Sequence, residues 1–154
     1  MQSARWRSSI ATAALLATSA LFAQQQTPES IYDPAAGIWR LRNNRIEAQL
    51  RLSPQTNLFT FEIVRDRVNG DFWRSAANAT SLPLTVTFET GNALNAASEF
   101  VLLDQTATEI APNGLRQSIE LQEVGGRVAI RFDFYLYDDQ PVIRYGAALR
   151  NTGF

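Results

Sequence analysis

Between Arg127 and Tyr137 the chain alternates strictly. Val128, Ile130, Phe132, Phe134 and Leu136 are apolar, while Arg127, Arg131, Asp133, Tyr135 and Tyr137 are charged or carry a polar tip. A period of two sustained over this length demands a strand with one buried face, because successive side chains of a strand point to opposite sides. The flanking stretches repeat the pattern. Leu115, Ile119 and Leu121 alternate with Arg116, Ser118, Glu120 and Gln122, and Ile143, Tyr145, Ala147 and Leu149 alternate with Arg144 and Arg150.

The turns fix how these strands pair. A two-residue turn at Gly125-Gly126 sets Leu121 against Ile130 and Ile119 against Phe132. An even-length loop through Asp138, Asp139, Gln140 and Pro141 sets Leu136 against Ile143, Phe134 against Tyr145 and Ile130 against Leu149. A slip of one residue would turn an apolar row into water, so the register is strongly specified. The expectation is a three-stranded antiparallel meander forming one wall of a β-sandwich, with the apolar residues of all three strands facing inward.

Composition narrows the chemistry. The 154 residues contain no lysine, histidine or cysteine. That excludes disulfides, thiolate or imidazole metal sites, cysteine nucleophiles, a Ser-His-Asp relay and a lysine Schiff base. Catalysis by this stretch would rest on carboxylates, hydroxyls, arginine or tyrosine, and no cofactor or metal is expected. The formal charge is −1, with arginines interleaved among Asp and Glu, so no basic patch points to nucleic acid.

Residues 1–23 have the build of a secretory signal peptide. Arg5 and Arg7 precede an apolar, small-residue run from Ile10 to Phe22, and Ala23 stands before three glutamines. The run is short and rich in Ala, Ser and Thr for a membrane span. Export to the periplasm or beyond is therefore expected, with no membrane attachment after cleavage. Residues 24–37 read as a loose, proline-containing lead-in. In the domain itself, 38–154, Trp39 and Leu41 face inward, and a tight Asn43-Asn44 turn would pair Leu41 with Ile46 and Trp39 with Ala48. Ile46, Ala48, Leu50 and Leu52 form the next inward row, and a loop from Pro54 to Asn57 sets Leu52 against Phe59 and Leu50 against Phe61. Shorter strands are expected at Leu84–Glu89, with Val86 and Phe88 inward, and at Glu99–Leu103, continued or followed by Thr106–Ile110. The fold class predicted is all-β and antiparallel, with eight to ten strands in two sheets. Arg150-Asn151-Thr152-Gly153 runs a strand into a turn signal, which predicts a returning strand and a parent chain longer than this sequence.

Several stretches carry a resemblance. Trp39-Arg-Leu-Arg-Asn43, the strand ending at Leu52, Phe59-Thr-Phe61, Gly70-Asp-Phe-Trp73, and Tyr137-Asp-Asp-Gln-Pro141-Val-Ile-Arg144 leading to Leu149-Arg-Asn151-Thr-Gly153 resemble the N-terminal β-supersandwich of secreted α-galactosidases (melibiases) and related glycoside hydrolases. The resemblance spans roughly residues 37–154. It implies a galactose-mutarotase-like sandwich, incomplete at its C-terminal end, that packs on a catalytic barrel following it in the same polypeptide. The family's catalytic carboxylates belong to that barrel, and no position here matches them. Carbohydrate would then be met through the parent enzyme, and the resemblance leaves a homo-oligomer open. The alternative is a free-standing exported sandwich that binds glycans or another protein.

Among candidate sites, the Asp138-Asp139 pair is read as turn chemistry, because Asp favours turns and neighbours on an extended chain point apart. Asn78-Ala79-Thr80 matches a glycosylation sequon. Trp73, flanked by Asp71 and Arg74 after the Asn69-Gly70 turn, is the ligand-binding candidate. A flat indole beside hydrogen-bonding groups suits the apolar face and hydroxyls of a sugar. Against that stands a core role, the commoner one for a tryptophan after a hairpin turn.

Overall fold

A computed structural model describes residues 27–76, 85–89, 91, 93–95 and 97–153. The leader at 1–23 and the sequon at 78–80 lie outside the described residues. Among those described there are eleven strands and no helix. One antiparallel sheet has the order β1 (Glu29–Asp33), β2 (Ile38–Arg42), β3 (Ile46–Leu52), β4 (Phe59–Asp66) and β5 (Phe72–Arg74). A two-stranded ribbon follows, β6 (Val86–Thr87) and β7 (Ala93–Leu94). The second main sheet uses β8 (Phe100–Ile110), β9 (Gly114–Glu123), β10 (Val128–Tyr137) and β11 (Ile143–Asn151), in the order β11-β10-β9-β8. The two sheets pack face to face as a β-sandwich.

The strand count exceeds the eight to ten expected, and the lead-in is not loose throughout. β1 forms within it and pairs along its whole length with β2. Its anchor is Tyr32, stacked on the buried Trp39 at 4.5 Å between ring centroids. The connecting turn is held by the Asp33 carboxylate, which accepts hydrogen bonds from the backbone of Ala35 and Ala36. Gly37 closes it at φ +64, where an added Cβ would stand 2.1 Å from the Leu52 carbonyl oxygen. Only glycine fits both demands.

The central meander has the predicted register. Phe132 lies between Ile119 on β9 and Ala147 on β11, and Leu136, Phe134 and Ile130 oppose Ile143, Tyr145 and Leu149. β8 joins as a fourth strand, and the two segments expected at 99–110 are one continuous strand with a bulge near Leu103. At β2–β3 the register is two residues from the expected one: Leu41 opposes Ala48, and Trp39 opposes Leu50. The reason is Asn43. Its side-chain oxygen accepts from the backbone of Arg45 and Ile46, which widens the turn. A shift of two preserves which residues face inward.

The core lies between the sheets. Phe59 stacks on Phe132 at 5.3 Å, and Phe61 meets Phe134 edge-on at 5.6 Å. Trp39, Leu41, Leu50, Ile119, Leu121 and Ile130 fill the space around them. One end is closed by Leu94 and Phe100, with Val86 and Phe88 packed on as expected. There Arg127 sits over the Phe88 ring and pairs with the largely buried Glu123, whose carboxyl it holds below the usual range. A polar seam runs under β1, where Ser30 donates to Gln117 at 2.7 Å and Gln117 donates to Gln105.

One expectation fails on burial. The inner row of β11 was predicted to face the core, but Ile143 alone is half-buried. Ala147 is exposed, Tyr145 retains 48% of its surface and Leu149 51%. The alternation correctly places these residues on the inner face, yet the opposing sheet does not cover that part of the strand.

Candidate functional site

The β4–β5 hairpin carries the three candidate residues. Its turn is built by Asp66. The carboxylate accepts from the backbone N–H groups of Val68 and Asn69, and from the Asn69 side chain at 2.8 Å. These bonds hold the Asp66 carboxyl below the usual carboxylate range. Gly70, at φ +83, donates to the Asp66 carbonyl, and the Asp66 N–H donates to the carbonyl of Asp71. Asp71 thus serves the turn through its backbone, with its side chain exposed.

Trp73 stands directly opposite Val64 on β4, and Phe72 and Arg74 stand opposite Arg65 and Ile63. Cross-strand partners share a face, so the indole lies on the opposite side of the ribbon from Phe72 and Arg74. Val64 in turn opposes the buried Ala48, which puts Trp73 on the inner side of the sheet at its edge. The indole is 53% exposed. Arg74 folds over the Phe72 ring at 5.9 Å. The structure therefore separates Trp73 from Arg74 and does not assemble the three residues as one cluster.

What gathers at this edge is apolar. Phe61 on β4 touches both Phe134 on β10 and Tyr145 on β11, at 5.6 and 5.9 Å. At Phe61, β4 therefore stands over the seam between β10 and β11. Trp73 on β5 and Tyr145, Ala147 and Leu149 on β11 are inner-face residues that keep much of their surface exposed.

The acidic pair behaves as a turn. Asp139 has φ +55, and its carboxylate accepts from Arg45 at 2.6 Å, which lowers its pKa. Nearby is a residue that sequence reasoning missed in this role. Asn43 is fully buried, and its amide donates to the carbonyls of Tyr137 and Gln140, tying the β2–β3 turn to the β10–β11 turn. Asparagine at a turn was legible; its reach across the sandwich was not. Among the described residues no group of three or more acidic side chains could hold a metal ion. A cleft of about 500 Å³ beside the β8–β9 turn has one ionisable side chain in its lining, Glu109, which is not a catalytic pair.

No family model, curated protein or solved structure matches the chain.

Proposed function

We propose that this chain is the non-catalytic N-terminal β-sandwich of an exported glycoside hydrolase resembling α-galactosidases, and that it packs on a catalytic domain and shapes access to it. The observation that carries this reading is the inner row of β11, where Tyr145 and Leu149 stay about half exposed, together with the half-exposed Trp73 on β5. Apolar residues left uncovered on the inner face of a sheet mark a surface that a further element can pack on. The half-exposed indole also favours the second reading, a free-standing exported sandwich that binds glycans or another protein.

The test is enzymatic. The purified chain alone releases no nitrophenol from aryl α-galactosides, whereas a polypeptide carrying it together with a catalytic barrel does. In that polypeptide Trp73→Ala raises KM or lowers turnover while the melting temperature holds. Hydrolysis by the chain alone would overturn the proposal. Lost stability with unchanged kinetics would return Trp73 to a packing role.

A further inference from the structure

We propose that Asn69-Gly70, in the β4–β5 turn, is a site of spontaneous deamidation with water as the co-reactant, and that its conversion loosens β5. The proposal does not rest on the enzymatic reading, since the reaction needs only this hairpin and solvent.

The sequence holds two Asn-Gly pairs, Asn69-Gly70 and Asn113-Gly114. Such pairs are open to ring closure because glycine has no Cβ to hinder its own backbone nitrogen. That nitrogen, having lost its proton to solvent, attacks the asparagine Cγ. A C–N bond forms, the bond from Cγ to Nδ2 breaks, and the amide leaves as ammonia, giving a five-membered succinimide. Water then opens the ring at either carbonyl. One product is aspartate; the other is isoaspartate, in which the main chain runs through Cβ and Cγ. The net change is an amide exchanged for a carboxylate, with ammonia released.

The structure separates the two pairs. Ring closure requires the peptide between Asn and Gly to rotate until its nitrogen and Cγ come within attack distance. At Asn113 that peptide is held from both sides. The Asn113 carbonyl accepts from the Asp138 N–H on the β10–β11 turn at 3.0 Å. Gly114 is buried, and a Cβ added to it would stand 2.8 Å from the Tyr137 ring and 2.9 Å from the Ile110 side chain. Rotation there would undo pairing with both β8 and β10. At the other pair, Val68, Asn69 and Gly70 are all exposed, and a Cβ added to Gly70 would meet nothing within 4 Å. Each hydrogen bond that Asn69 and Gly70 make ends on Asp66, inside the same turn. Arg67 is anchored to the β2–β3 turn by its backbone N–H and its guanidinium. Opening is thus confined to residues 68–70 and uncovers no buried side chain, the kind of local event that costs far less than unfolding.

Conversion changes the turn. The Asn69 amide donates to the Asp66 carboxylate at 2.8 Å. Afterwards a carboxylate stands there, and two like charges replace a donor and an acceptor. The isoaspartate product also lengthens the main chain by one carbon between Asp66 and Asp71, whose backbone hydrogen bond closes the hairpin. β5 spans three residues and its neighbour in the sheet is β4, so the turn is a large part of what holds it.

The test ages the full chain in mildly alkaline buffer, folded and in parallel in urea. Peptide mass mapping reads both sites, a gain of one mass unit marking conversion, and enzymatic methylation identifies isoaspartate. The expected result is that both sites convert in urea, whereas in the folded chain Asn69 converts and Asn113 does not. Amide exchange of β5 should rise with the converted fraction while β9 and β10 stay protected. Asn69→Gln, whose ring would need six members, should stay unconverted with β5 protected. Asp66→Ala removes the carboxylate restraint and should speed conversion at position 69 about fivefold or more. Asn113 reacting as fast as Asn69 in the folded chain, or Asn69 staying intact there while the urea sample reacts, would overturn the site. Unchanged β5 exchange after conversion would overturn the coupling, and a rate in Asp66→Ala no higher than in the parent chain would overturn the restraint.

Discussion

Truncating Phe132 tests the sandwich at its centre. The side chain is fully buried, stacks on Phe59 across the two sheets at 5.3 Å and lies 6.2 Å from Phe134 on its own strand. Removing a buried phenylalanine side chain costs about 3–5 kcal/mol through lost transfer energy and the cavity left behind. A domain of this size has a total stability of about 5–15 kcal/mol, so Phe132→Ala consumes a large share of it and Phe132→Leu serves as the milder, folded variant. The stack itself is separable. A double-mutant cycle of Phe59→Leu with Phe132→Leu should return a coupling of about 0.5–1.5 kcal/mol, the usual worth of an aromatic pair beyond its area. Tyr145→Ala is the matched contrast. Tyr145 stands opposite Phe134 on the same face of the same sheet, but with 48% of its surface exposed it should cost about 1–2 kcal/mol. Urea unfolding followed by the fluorescence of buried Trp39 measures all of these, provided the slope with denaturant stays constant. If Phe132→Ala cost no more than Tyr145→Ala, the two-sheet core would be misplaced. If the cycle gave no coupling, the inter-sheet stack would be wrong even where the strand register is right.

Three further outcomes are expected. Asn43→Ala should lose about 2–3 kcal/mol in the same assay, because it leaves the Arg45 and Ile46 amides and two turn carbonyls without their partner; a change under 0.5 kcal/mol would deny it that role. Asn43→Asp should be no better at pH 7, since a carboxylate there keeps the acceptor but faces the carbonyls of Tyr137 and Gln140. The carboxyls of Asp66, Glu123 and Asp139 are all held below their ordinary values in the folded chain, by backbone amides for Asp66 and by arginines for the other two. Their stabilisation is complete above the unfolded values near pH 4 and is lost as pH falls through the lower folded values, so the urea midpoint should hold from about pH 8 to 5 and drop below about pH 4; a midpoint that rises on acidification would contradict this.

The meander was legible because three constraints agreed: period-two alternation, even-length turns and matching apolar rows. Each pairing around Phe132 follows from those alone. β1 was hidden for the opposite reason. Glu-Ser-Ile-Tyr-Asp is too short and too polar to show a period, and its strand character comes from pairing with β2 and from the Tyr32–Trp39 stack. The β2–β3 register slipped because turn length was inferred from the backbone tolerance of asparagine, whereas Asn43 acts through its side chain. The hairpin at Trp73 shows the same limit. Sequence placed Asp71, Trp73 and Arg74 in one segment, but a strand sends neighbours to opposite faces, and β5 begins early enough to separate the indole from Arg74.

Burial along β11 was the less visible quantity. Alternation reports which residues share a face; it does not report how far the opposing sheet extends. Ile143 and Leu149 belong to one row by every local criterion, yet the first is half-buried and the second half-exposed. The difference lies in the offset between two sheets, set by where Phe61 seats between Phe134 and Tyr145. That contact joins residues more than seventy positions apart, so no window of sequence contains it. Trp73, opposite Val64 on the inner face of β5 and 53% exposed, is not a sealed core residue.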